Sequence, residues 1–122
     1  MRIQNVNSGT KAGYSLSGYV LEINVQGLSP LSIDLQEKQG ETSKVVDISL
    51  NSDFTQIGEG VGSWYVATVD IPQKEYELYD TGEVDEDGDA IMGKRVTPID
   101  LSSVTLHLWG LPQNIIVKGQ EV

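Results

Sequence analysis

A chain of 122 residues with 18 acidic and 8 basic side chains carries a formal net charge of −10. That balance works against unaided binding to nucleic acid or anionic membranes, where affinity comes largely from Lys and Arg. The absence of cysteine excludes disulfides, thiolate metal sites and cysteine nucleophiles.

The length suits a single β domain over residues 1–122, large enough to bury about two-thirds of the surface its unfolded chain exposes. The segment after Met1 lacks the apolar run of a signal peptide, and no apolar stretch approaches the ~20 residues of a membrane helix. A soluble protein made in a cytoplasm is the expectation.

In chain order, Arg2 to Val6 reads as a short strand ended by Asn7-Ser8-Gly9. Tyr14 to Gln26 reads as one extended run with Tyr19, Leu21, Ile23 and Val25 on one face and Gly18 marking a bulge or a close backbone approach. After the Gly27–Pro30 loop, Leu31, Ile33 and Leu35 alternate with polar residues. Val46, Ile48 and Leu50 do the same, so Leu31 to Leu50 reads as a hairpin turning at Lys38–Glu41. The only helical alternative, Asp34 to Lys44, has Gly40 in its middle. Asn51 to Ser63 is a glycine-rich connection anchored by Phe54 and Ile57.

Tyr65, Ala67, Val69 and Ile71 then set the inward face of a strand from Trp64. A hairpin over 73–96 follows, with Asp87-Gly88 as its turn signal. Beyond Thr97–Asp100, Val104, Leu106 and Leu108 predict another half-buried strand, and Ile115–Val117 a last one. Short strands with regular turn signals predict an all-β fold, an antiparallel β-sandwich or small barrel with a projecting acidic β-hairpin.

Little in this pattern is catalytic. His107, the only histidine, sits on a strand with no acid or Ser at a recognisable spacing, so it reads as an ordinary half-exposed residue. No phosphate loop, HExxH or GxSxG motif is present. Asp85, Asp87 and Asp89 have the spacing of a calcium loop, but Gly88 falls two positions early and Val96 stands where the bidentate Glu belongs. The segment therefore reads as a turn, with no cofactor.

Trp64, Tyr65, Tyr76, Tyr79 and Trp109 leave a carbohydrate platform open beside the plainer reading of core and cross-strand pairs. The densest charge lies in the hairpin, where Glu75, Glu77, Asp80, Glu83, Asp85, Glu86, Asp87 and Asp89 occur without a base until Lys94 and Arg95. Such a ribbon is solvated charge guarding a strand edge, a contact for a basic partner, or a mimic of the DNA phosphate track, in that order. Lys94 and Arg95 interrupt the track that mimicry needs.

Ile71-Pro72, Tyr76-Glu77, Asp80-Thr81-Gly82-Glu83, Asp85-Glu86-Asp87-Gly88, Pro98-Ile99-Asp100-Leu101 and Val104 to Trp109 together resemble small structural proteins of tailed bacteriophages and prophages, over about residues 70–110. The resemblance implies a β-rich, non-enzymatic virion protein assembling on a capsid, neck, tail or baseplate. No functional residues carry over from it. The reading that follows is an oligomeric subunit that binds copies of itself or other virion proteins and no nucleic acid or membrane. Tyr79, Glu83, Asp85, Glu86, Asp87, Asp89, Lys94 and Arg95 are its partner-binding residues. Two alternatives stand beside it: an acidic phage-encoded inhibitor of a basic host protein, and a calcium- or carbohydrate-binding β module.

Overall fold

The computed structural model describes residues 1–60 and 62–112, which form an all-β fold of three sheets. The expected strand at 115–117 lies outside the described residues. A five-stranded sheet has the order β1 (Arg2–Asn5), β10 (Thr105–Leu108), β7 (Trp64–Ile71), β5 (Lys44–Leu50), β6 (Ile57–Glu59). A three-stranded meander joins β2 (Gly13–Ser17), β3 (Val20–Asn24) and β4 (Leu31–Asp34), and β8 (Tyr76–Val84) pairs, among the described residues, with β9 (Ala90–Val96) alone.

Neighbours are antiparallel except β1 and β10, which run parallel with Ile3 opposite Leu106. Parallel strands need a crossover longer than any hairpin loop, and here nearly the whole chain supplies it. The larger sheets end in open edges, so the arrangement is sandwich-like and not a closed barrel. No described helix is long and apolar enough to cross a membrane.

Both larger sheets contribute to one core. Val46, Ile48, Leu50, Ala67, Val69, Ile71, Leu106 and Leu108 come from the five-stranded sheet, and Leu21, Ile23 and Ile33 from the meander. These are the alternate residues of their strands, as a two-residue period requires. Each fully buried Leu or Ile contributes about 1.5–3 kcal/mol over its exposed state. Phe54 and Ile57 do anchor their connection: Ile57 is buried and Phe54 packs against the core. Phe54 has φ +56°, and the Asn51 side chain holds its loop by accepting from the Thr55 and Gln56 N–H groups.

Four sequence expectations are corrected. Tyr14 to Gln26 is not one run but a hairpin, β2 with β3, because Gly18 at φ +59° and Tyr19 make a two-residue turn. Positive φ at the first central residue alone is the type II′ pattern, whose twist matches the strands. Tyr19 sits in that turn and is exposed rather than inward.

Leu31 to Leu50 is not a hairpin, since β4 pairs with β3 and β5 pairs with β6 and β7. A single helical turn, α1 (Leu35–Lys38), redirects the chain between sheets; Asp34 caps it by accepting from the Glu37 N–H, and it ends before Gly40. The connection from Asn51 to Ser63 contains a strand, β6, which the Lys38–Glu59 ion pair ties to α1. Finally, Tyr65 is exposed. A bulge at Ile48/Ser49 shifts the β5–β7 register, so that Val66 and Ala67 are both buried and Tyr65 turns outward.

Candidate functional site

The β8–β9 ribbon is the acidic hairpin expected from the sequence, and all nine residues of β8 are exposed. Its two feet are held by α1. Gln39, only 6% exposed, donates from Nε2 to the carbonyls of Pro72 (3.1 Å) and Gln73 (3.3 Å) at the incoming foot. Its Oε1 accepts from Gln36 Nε2, and Gln36 Oε1 accepts from the Ile99 N–H (2.7 Å) at the outgoing foot. Backbone bonds from Lys74 N–H to the Gly40 carbonyl and from Thr97 N–H to the Glu75 carbonyl complete the root. The Tyr76 hydroxyl donates to Glu41, and that bond, with the carboxylate's charge beside it, raises the phenol above its ordinary pKa. Sequence reasoning missed Gln36 and Gln39; their one signal was the i, i+3 spacing, which puts two amides on one side of a helical turn.

Alternation divides the ribbon into two unlike faces. On the odd-numbered face, Arg95 pairs with Glu77 at 2.7 Å and lies 4.9 Å from the centre of the Tyr79 ring. That ring covers Gly93 so closely that a Cβ there would sit 2.6 Å from it, which explains the glycine. On this face Arg95 engages both Glu77 and Tyr79, while the Glu77 side chain stays 44% exposed. The even-numbered face carries Leu78 (70% exposed), Val84 (65%) and Met92 (51%) with Tyr76 and Val96, and Lys94 Nζ lies 4.2 Å over the Tyr76 ring. This face is open.

The regular pairing of Tyr76 to Asp80 with Val96 to Met92 is interrupted before Val84. Thr81 Oγ1 donates to the Ile91 carbonyl there, and Gly82 takes φ +84°. At the tip, Asp85 N–H donates to the Asp89 carbonyl and Gly88 N–H to the Asp85 carbonyl, leaving Glu86-Asp87-Gly88 as the loop. Positive φ falls on Gly88 alone, so the turn is the three-residue type with a bulge, not a two-residue Asp-Gly turn. One oxygen of Asp85 accepts from the Asp87 and Asp89 N–H groups, fixing the loop from inside. The carboxylates of Asp85, Asp87 and Asp89 come within 4.8 Å of one another, all exposed.

The expected contact residues therefore fall in three places along the ribbon: Glu83, Asp85, Glu86, Asp87 and Asp89 at the tip, Tyr79 midway, Lys94 and Arg95 nearer the root. The arrangement offers a shaped, anionic surface.

Elsewhere, the register of β7 with β10 places His107 diagonally across from Asp70, with Nε2 at 2.8 Å from Oδ2. This acid lies 37 positions away, so no sequence spacing could show it. Beside them Thr68 Oγ1 donates to Asp47 (2.9 Å) and accepts from Trp109 Nε1 (3.1 Å), a polar lacing across three strands. The aromatics do not form one platform. Tyr76 and Tyr79 lie on opposite faces of the ribbon, Tyr65 stacks at a tilt on Trp109 at 5.3 Å, and Trp64 meets Phe54 edge-on. Comparisons with family models, curated proteins and solved structures give no significant match.

Proposed function

We propose that this chain is a non-enzymatic structural subunit of a tailed-phage particle, made in the host cytoplasm, and that the β8–β9 arm is its contact onto a neighbouring subunit. The phage context rests on the resemblance over residues 70–110. The contact role rests on one observation: a ribbon whose strands, among the described residues, pair only with each other, exposed along its length, and fixed at both feet by the Gln36–Gln39 clamp. An acidic element of this kind contributes orientation and association rate toward a basic surface more than raw affinity.

Replacing Glu86, Asp87 and Asp89 together with Ser tests it, and leaves in place Asp85, whose carboxylate fixes the tip loop. The variant keeps its fold, because these side chains are exposed, but incorporates into particles less efficiently, with the deficit largest at low salt, where screening is weakest. Wild-type incorporation of a correctly folded variant at every salt concentration would reduce the arm to a solvated loop.

A further inference from the structure

The two long edges of the arm differ in chemistry. Among the described residues, β8 pairs on one side with β9 and on the other with nothing, and β9 likewise has one open edge. β9 carries Lys94 and Arg95, whose charged ends reach across to Tyr76 and to Glu77 and Tyr79 of β8; a lysine on an edge strand is a common device against strand addition. Along β8, no cation and no proline occurs between Glu75 and Val84. There Glu75 and Glu77 alternate with Tyr76 and Leu78, so from Glu75 to Leu78 the edge presents acids on the odd-numbered face and apolar groups on the even-numbered face, an order that Tyr79 and Asp80 reverse. The stretch before the Thr81–Glu83 irregularity, Glu75 to Asp80, spans about 20 Å at the usual strand rise.

From this we infer that the open edge of β8 is a strand-addition site for an extended protein segment in which basic and apolar residues alternate. Main-chain hydrogen bonds to β8 would hold such a segment. Its apolar side chains would lie beside Tyr76 and Leu78, and its Lys or Arg side chains beside Glu75 and Glu77. Strand addition of this kind takes affinity from the backbone and specificity from the alternate side chains.

Charge selects the occupant. Between residues 75 and 96 the arm has eight carboxylates against two bases, so pairing β8 with β8 of a second copy sets like charges opposite each other, which is destabilising. A cationic strand removes that repulsion and adds attraction. The inference rests on reading the arm as a contact element and names the chemistry of what it contacts.

The test uses the whole chain and a synthetic eight-residue peptide, capped at both ends, alternating Lys and Val. Amide hydrogen exchange and chemical shifts are followed along both strands of the arm. The expected result is new protection confined to alternate amides of residues 76–80. It should weaken a few-fold for a Glu75→Lys variant, from the loss of a cross-strand charge pair, with Glu77 left in its pair with Arg95. A peptide alternating Lys and Ser should bind more weakly, and one alternating Glu and Val should not bind. Protection along β9 instead, equal binding of the Lys/Ser peptide, or no change at β8 would overturn the inference. So would concentration-dependent protection of β8 without peptide, which would make a second copy the occupant. The Ser-substituted tip variant keeps β8 intact, so loss of incorporation without peptide binding sinks only the edge inference. Peptide binding with normal incorporation sinks only the role of the tip.

Discussion

Gln39→Ala probes whether the arm is held by its feet. The side chain is 6% exposed and donates two hydrogen bonds, at 3.1 and 3.3 Å, to the Pro72 and Gln73 carbonyls. Each such bond is worth about 0.5–1.5 kcal/mol net, and an acceptor left buried without a donor costs about 1–3 kcal/mol. The second bond is long, and Gln36 Nε2 loses its acceptor as well, so a total loss of about 2 kcal/mol is expected. For a domain of this length that lowers the unfolding midpoint by roughly 8 °C.

The comparison variant is Leu35→Ala, which empties a fully buried site on the same helical turn, at about 2–5 kcal/mol, and leaves the feet bonded. Urea unfolding measures both losses, and residual dipolar couplings of the β8 and β9 amides, referred to the core strands, measure arm orientation. Gln39→Ala should change the arm couplings and Leu35→Ala should not. A Gln39→Ala protein less than about 0.5 kcal/mol destabilised, with wild-type couplings, would show that the backbone bonds at Gly40 and Glu75 hold the arm without the clamp.

Two further outcomes follow from local geometry. In Gly110→Ala the new Cβ would lie 2.4 Å from the Ser8 carbonyl oxygen and 3.1 Å from Asn7 Oδ1, which accepts from the Gly110 N–H. The segments following β1 and β10 must separate there, at a cost of about 2–4 kcal/mol readable by thermal denaturation; an unchanged midpoint would refute the close approach. The Asp100 carboxyl is held below the ordinary aspartate pKa, first by the Ser102 hydroxyl, then by the Ser102 N–H and the Ser103 hydroxyl. Because the folded state favours the ionised form, this contribution is present above the ordinary carboxylate range and lost as pH falls through the lowered folded value. Carbon-detected NMR titration should find the Asp100 midpoint low and Ser102→Ala should raise it; an identical midpoint in both would contradict the assignment.

The sequence made strand faces legible and strand partners illegible. Val46, Ile48 and Leu50, Val69 and Ile71, and Leu106 and Leu108 point inward as their alternation requires, and the acidic hairpin forms where its turn signal lies. Alternation says which way a residue faces but not which strand lies beside it. Leu31 to Leu50 thus satisfied a hairpin pattern while its two halves joined different sheets. The signal that separated them was Asp34, a helix N-cap whose side chain accepts from the Glu37 N–H, on a turn too short to show a 3.6-residue period. Tyr65 failed for another reason: one bulge slips the phase of everything before it. The feet of the arm were not legible, because Gln36 reaches a partner 63 positions away and Gln39 partners more than 30 away.

That division bears on how the arm works. A two-stranded ribbon is at best marginally stable alone, and this one borrows no strand from the rest of the described residues. Its order comes from three local devices: the clamp at its feet, the Tyr79 ring lying on Gly93 beside the Glu77–Arg95 pair, and the Asp85 carboxylate inside the tip loop. None of the three occupies the exposed Leu78–Met92 face, and along β8 they engage only Glu77 and Tyr79. The conformational entropy of forming the ribbon is thus settled before a partner arrives, which leaves more of the contact free energy for affinity. On this argument Gln39→Ala should weaken binding of the alternating Lys/Val peptide although Gln39 lies outside β8, and unchanged peptide affinity in that variant would mean that the ribbon's own side chains suffice to order it.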